Sequence, residues 1–219
     1  MAFERVFPGG SKTLFLATTN PGKLTEILKL YAGLDIEFKS PKDFPGLTAP
    51  EETGETFKEN AALKAGYYFE KTGLPSLADD GGLMVDTLGG LPGVMSHRWL
   101  GFDANERELA DAVIERLRGV PPEKRTAKLG GAVAFWDGEH LLMSENFVSG
   151  YIVDELPAEI EPGFPYRSLL VVDRFGKLYK DITKEEDEEI NHRRKNLEAL
   201  RPKILELLGQ WVIYNRKAR

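Results

Sequence analysis

Three stretches of the 219-residue chain bring together residue types that could do chemistry. Thr18, Thr19, Asn20, Pro21, Gly22 and Lys23 put hydroxyls, an amide and one lysine on a loop at the start of a helix. Such a loop can hold phosphate, because free backbone N–H groups and the positive end of the helix dipole converge there. The spacing is not that of a Walker-type loop, and an ordinary strand-to-helix turn explains the residues equally well. The second stretch is a set of carboxylates, Glu51, Glu52, Asp79, Asp80 and Asp86. Asp79 and Asp80 are expected at the end of a strand against Gly81 and Gly82, where adjacent acids call for a cation. Mg2+ takes oxygen ligands and keeps several waters, so one or two of these acids plus substrate phosphates would satisfy it. The competing reading has Asp79 capping a turn and Asp80 solvated, as Asp before Gly often is. The third stretch, Asn191, His192, Arg193 and Arg194, opens the last helix. An arginine fork there can grip a carbonyl, phosphate or carboxylate, and an asparagine ahead of it can cap the helix. Basic surface residues after an acidic run are just as expected.

The elements that must position these residues follow from periodicity. TLFLAT at 13–18 reads as a strand, and Leu24, Ile27, Leu28, Tyr31 and Leu34 recur at helical spacing behind it. Asn20 suits an N-cap and Pro21 the first helical position. IEFKS at 36–40 then closes a βαβ unit with a parallel crossover. After a Pro- and Gly-rich loop at 41–55, Thr56 and Glu59 form a capping box for a helix over about 57–71, on which Lys64 shares a face with Phe57, Ala61 and Tyr68. SLADDGGLMVDTLGGLPG reads as two short strands flanking Gly81 and Gly82, and Asn105 to Glu108 as a second capped helix start. Residues 127–154 turn to β pattern, with a hairpin at Asp137, Gly138 and Glu139, and 169–182 reads as a strand and return. KEEDEE at 184–189 is a solvated face or a helix first turn, and the C-terminal run is helical with a kink or restart at Pro202.

Composition removes several classes. Asp plus Glu number 35 against 29 Lys plus Arg, a net charge of −6, so the charge disfavours a long nucleic acid as partner while a cationic pocket for a small anion is compatible. The chain has no cysteine, which excludes disulfides, thiolate metal sites and a cysteine nucleophile. His97 and His140 stand alone, without the paired spacing of a zinc hydrolase, and Trp99, Trp136 and Trp211 read as core or interface residues. No apolar run reaches the roughly 20 residues needed to cross a bilayer, and the charged, Pro- and Gly-bearing start lacks a signal-peptide core, so the cytoplasm is the expected compartment.

In this order, ATTNPGK at 17–23, EETGETFKENAALKA at 51–65, LADDGGLMVDTLGGLPGVMSHR at 77–98 and INHRRKNLEAL at 190–200 resemble the inosine triphosphate pyrophosphatase family, the non-canonical purine NTP pyrophosphatases. The resemblance runs from about residue 13 to 200. It implies one α/β domain over 1–219, with an elongated central mixed sheet flanked by helices and a nucleotide cleft between two lobes. It also implies a homodimer, and hydrolysis with Mg2+ of nucleoside triphosphates such as ITP, dITP and XTP to monophosphate and pyrophosphate. Carried over residue by residue, Thr18, Thr19, Asn20, Pro21, Gly22 and Lys23 resemble the triphosphate loop and Lys64 a second phosphate ligand. Glu52, Glu51 and Asp80 match metal positions, and Asp80 the general base, with Asp79 as its rival. Gly81 stands where the family often has Ser. His192 and Arg193 resemble the pair that reads the purine 6-keto side, and Phe164 and Tyr166 can stack on a base. Membrane and nucleic-acid partners are not expected.

Some positions depart from that family. Its base segment reads Gly-Phe-Gly, an aromatic, then Asp-Pro, where this chain has Gly163, Phe164, Pro165, Tyr166, Arg167 and Ser168. Asp187 replaces a lysine and Asn191 a serine. These changes raise two rival readings: a pyrophosphohydrolase with a different, Maf-like nucleotide preference, and a nucleotide-binding homologue without catalysis.

Overall fold

In the computed structural model, which describes residues 12–102 and 104–209, the apolar run Thr13–Leu16 forms the first strand, β1. The chain start and Trp211 lie outside the described residues. Asn20 caps helix α1 (Pro21–Leu30) by accepting from the Gly22 and Lys23 amides, so the helix begins inside the loop as expected. Strand β2 (Glu37–Lys39) pairs parallel with β1 and completes the βαβ unit. Helix α2 (Phe57–Thr72) starts at the reciprocal Thr56–Glu59 box and ends at Gly73, whose φ of 71° is the left-handed cap that glycine adopts without strain.

Strands β3 (Ser76–Val85), β4 (Thr126–Trp136) and β5 (Leu141–Ile152) form an antiparallel centre, extended by β6 (Leu170–Val172) and β7 (Lys177–Leu178). The seven-stranded sheet runs β2-β1-β3-β4-β5-β6-β7, parallel through β3 and antiparallel beyond it. Helix α3 (Glu106–Arg116) opens at the Asn105–Glu108 box. The acidic run becomes the first turn of α4 (Lys184–Ile190), where carboxylates meet the positive end of the helix. Helix α5 (His192–Leu207) passes through Pro202 instead of restarting there. Pro202 lies on the exposed face, where water can take the carbonyl bond that its missing N–H leaves open. Among the described residues no helix is long and apolar enough to cross a membrane.

One sequence expectation fails. Gly81 and Gly82 do not separate two short strands; they lie inside the single strand β3, opposite Gly131 and Gly130 of β4. Asp79 and Asp80 are therefore mid-strand, paired with Val133 and Ala132, rather than at a strand end. Glycine is used here for close approach. A Cβ on Gly131 would come within 2.1 Å of the Asp80 carbonyl oxygen, and one on Gly81 within 2.6 Å of the Gly130 oxygen. A turn signal in the sequence is thus a crossing of two backbones.

That glycine block lies between two cores carried by the same strands. On one side Leu77, Val133 and Phe135 pack with Ile27, Leu197 and Ile204 of α1 and α5. On the other Leu83, Leu129 and Val148 pack with Leu109 and Val113 of α3. A third core beneath α2 joins Phe57, Ala61 and Tyr68 to Phe15 and Ala132. The glycines thus lie between two cores built on the same strands.

Gly131→Ala should lower unfolding free energy by about 1–3 kcal/mol, since neither backbone can yield without breaking ladder bonds. Gly66→Ala, in open space on α2, should instead leave stability unchanged or raise it by up to about 1 kcal/mol. Urea unfolding of the two variants checks the contrast.

Candidate active site

Strand β1 stops early, and its last bond to β3 is Ala17 N–H donating to Leu77 O at 2.9 Å. From Ala78 onward that edge of β3 is open, and the 18–23 loop bends over it. Successive strand residues point to opposite faces, so Asp79 turns toward α1 and α5 while Asp80 turns toward α2. Both reach one cavity of about 720 Å³ around the open edge, lined also by Thr18, Thr19, Asn20, Glu52 and Lys64.

Asp79 is 6% exposed and holds two cations, pairing through Oδ1 with Lys23 and through Oδ2 with Arg193 Nε at 2.9 Å. Burial opposes its ionisation, but Arg193 and Lys23 outweigh that and hold its carboxyl far below the usual range. Arg193 also pairs with Glu26. Glu26 takes Arg167 Nη2 at 2.8 Å and the Asn191 side-chain amide at 3.3 Å. Against the cost of burial, Arg193 and Arg167 bring the Glu26 pKa down to about 2.

Asp80, equally buried, behaves oppositely. Its Oδ1 accepts from Lys64 Nζ at 2.8 Å, while its Oδ2 is buried without a hydrogen-bond partner. Burial, with the nearby Glu52 charge, raises its pKa above the usual carboxylate value despite Lys64. Glu52 Oε1 shares the same ammonium at 2.8 Å, and Arg98 fixes Glu52 by donating to Oε2 at 2.6 Å and to its backbone oxygen at 2.7 Å. Two carboxylates facing one point, one with an unsatisfied buried oxygen, are donors of the kind a hard divalent cation takes. Among the described residues no three His, Asp or Glu side chains gather for a metal, so substrate phosphates and water would supply the other ligands. Glu51 is exposed and lines neither this cavity nor the slot beside it, and Asp86 accepts from Thr126 at 2.6 Å well away from them.

That neighbouring slot, about 50 Å³, is lined by Gly81, Phe164, Tyr166, Arg167, His192 and Arg193. The Phe164 ring narrows it. A Cβ on Gly22 would sit 2.4 Å from that ring, and the Arg167 guanidinium stacks on the ring at 4.0 Å. The Asn20 side-chain amide donates to Gly163 O at 3.2 Å, joining the loop to this wall. His192 is buried, with Nδ1 unpartnered, and burial followed by the Arg193 charge brings its pKa to about 3, so the ring is neutral. Tyr166 donates to the Ser96 oxygen at 2.5 Å, which ties it to the protein instead of leaving it free to stack. The reversed charges are absorbed internally: Arg167 by Glu26 and, at 3.6 Å, Glu161, and Asp187 by the Asn191 amide at 3.2 Å.

The structure thus brings the loop, Glu52, Lys64, Asp80, Gly81, His192 and Arg193 around one cleft. Sequence reasoning missed Glu26 and Arg98. Glu26 carried a signal, three residues after Lys23 on the same helix face. Arg98 carried none, since its partner lies 46 residues away. His140 pairs with Asp137 in the hairpin at 3.1 Å, and Trp99 stacks on Arg116 at 4.1 Å.

A family model described as the Ham1 family matches residues 14–203. Similar curated proteins include a dITP/XTP pyrophosphatase of Geobacillus kaustophilus, 39% identical over 90% of this chain and 97% of that protein, and one of Lactococcus lactis, 38% identical over 92% and 98%. Among solved structures, a HAM1 protein from Coxiella burnetii aligns at TM-score 0.77 and 31% identity over 89% of this chain and 98% of its own.

Glu26→Gln should cost about 3 kcal/mol at pH 7 by urea unfolding. A depressed carboxylate pKa contributes stability that is complete above the unfolded value near 4.5 and fades as pH falls toward about 2. The deficit should therefore shrink across that window, and one of constant size would contradict the assignment.

Proposed function

The chain belongs to the Ham1 family, and on that premise we propose that it hydrolyses non-canonical purine nucleoside triphosphates, ITP, dITP and XTP, to the monophosphate and pyrophosphate with Mg2+. The observation that carries this reading is the contrast between two adjacent buried acids, one held ionised by two cations and the other raised in pKa with a free oxygen. The triphosphate lies along the 18–23 loop, where Thr18 and Thr19 line the cavity, and Lys23 and Lys64 offset its charge. Asp80 and Glu52 would hold Mg2+, with Glu51 near enough in sequence only for an outer role; the ion supplies charge neutralisation on the phosphates.

Water attacks the α-phosphorus in line, the bond to the bridging oxygen breaks, and pyrophosphate departs. Asp80 takes the water proton at Oδ2, the oxygen that Lys64 leaves free, while Glu52 and the substrate phosphates would keep the ion in place. Asp79 is a poor base because both of its oxygens face cations. It orients Lys23 and Arg193 instead. With Nε and Nη1 engaged, Arg193 has Nη2 for a 6-keto oxygen, and a 6-amino group there would leave that donor unpaired, at about 1–3 kcal/mol. Phe164 lines the slot and offers its ring to the base. The compartment is the cytoplasm, where the nucleotide pool lies.

Pyrophosphate release with Mg2+ should be strongest for ITP, dITP or XTP against the four common NTPs and dTTP, and Asp80→Asn should lower kcat by about 10²–10⁴-fold. Turnover of another nucleotide, or binding without turnover, would instead support one of the rival readings raised by Arg167 and Asp187. The homodimer is part of the same proposal; light scattering should give twice the mass of one chain.

A further inference from the structure

The phosphate cavity and the base slot share three lining residues, Lys23, Gly163 and His97. Two are already committed. The Lys23 ammonium pairs with Asp79, and Gly163 has its amide on Glu106 and its oxygen on Asn20. The His97 imidazole has no hydrogen-bond or ion-pair partner among the described residues, and it is exposed in the cleft.

Its position is nevertheless fixed, because the residues on both sides are pinned. Ser96 is 1% exposed: its Oγ accepts from Leu83 N–H at 3.1 Å and donates to Gly93 O at 2.6 Å, while its backbone oxygen accepts from Tyr166. Gly82 lacks a side chain at the point Ser96 occupies, since a Cβ there would fall 1.9 Å from Ser96 Oγ. On the other side Arg98 grips Glu52 at two points. With both neighbours tethered the backbone of His97 is anchored at the junction of the two pockets, and its unpartnered ring is available to a ligand there.

We propose that His97 is a substrate-binding residue that hydrogen-bonds the sugar and α-phosphate portion of the nucleotide, where the chain of the substrate passes from base slot to phosphate cavity. The proposal rests on the nucleotide-hydrolysis reading and adds a contact that the sequence left unassigned. Partial desolvation by the surrounding cleft walls, with the Lys23 and Lys64 charges, keeps the imidazole below its usual pKa, so at neutral pH it offers one N–H donor and one acceptor nitrogen. The neutral ring suits a hydroxyl or phosphate oxygen beside lysines that carry the charge.

The test compares wild type, His97→Ala and His97→Gln in two assays: pyrophosphate release from ITP with Mg2+, and equilibrium binding of IMP by calorimetry, with thermal melts to verify folding. His97→Ala should raise the ITP KM and the IMP Kd about tenfold with kcat within about twofold, and His97→Gln, which keeps an N–H donor, should recover most of the loss. Unchanged KM and Kd in His97→Ala would overturn the contact, as would a loss in kcat alone or a Gln variant no better than Ala. If wild type binds IMP through His97 but releases no pyrophosphate, the hydrolysis reading fails while the contact stands. No IMP binding and no pyrophosphate release by wild type would overturn both.

Discussion

The buried carboxylate of Asp79 is the constraint on which the cleft depends. It draws Lys23 from α1 and Arg193 from α5 onto β3, and Arg193 in turn engages Glu26, which engages Arg167 beside the base slot. Helices α1 and α5 and the segment around Arg167 thus converge on one strand position through ion pairs that burial makes strong and costly to leave incomplete. Neutralising one member leaves the others as unpaired charges out of water. The pleat sends the neighbouring Asp80 to the opposite face, where Lys64 is its one side-chain hydrogen-bond partner among the described residues. One residue step along a strand separates an acid with both oxygens on cations from one with an oxygen left unpartnered.

Local signals in the sequence were legible because their physics is local. The Thr56–Glu59 and Asn105–Glu108 boxes, the Asn20 cap and the helical face shared by Lys64 and Tyr68 each depend on residues within a turn of one another, and each is present in the structure. The Gly81–Gly82 pair was read as a break because glycine has two uses, freedom in turns and room for a neighbouring backbone, and only the partner strand distinguishes them. That partner lies some fifty residues on. Arg98 and the Glu26 network were likewise hidden by sequence distance, although Glu26 kept helical register with Lys23.

The departures from the family pattern illustrate the same limit. Arg167 and Asp187 looked in the sequence like reversed charges aimed at a nucleotide. In the fold they meet Glu26, Glu161 and Asn191, and the slot keeps Arg193 and His192 in place beside Phe164. Charge sign at one position says little until its partner is known.

The continuity of β3, β4 and β5 through both lobes has a kinetic consequence. Each lobe borrows half of every central strand, so neither can complete its core until pairings between distant parts of the chain have formed. Contacts of that kind slow folding, because loop closure precedes any gain in contact energy. Arg193 reaches Asp79 from 114 residues along the chain, so the ion pairs of the cleft are complete only once that distant contact has formed, and a partly folded chain would carry exposed strand edges and a buried acid short of one cation.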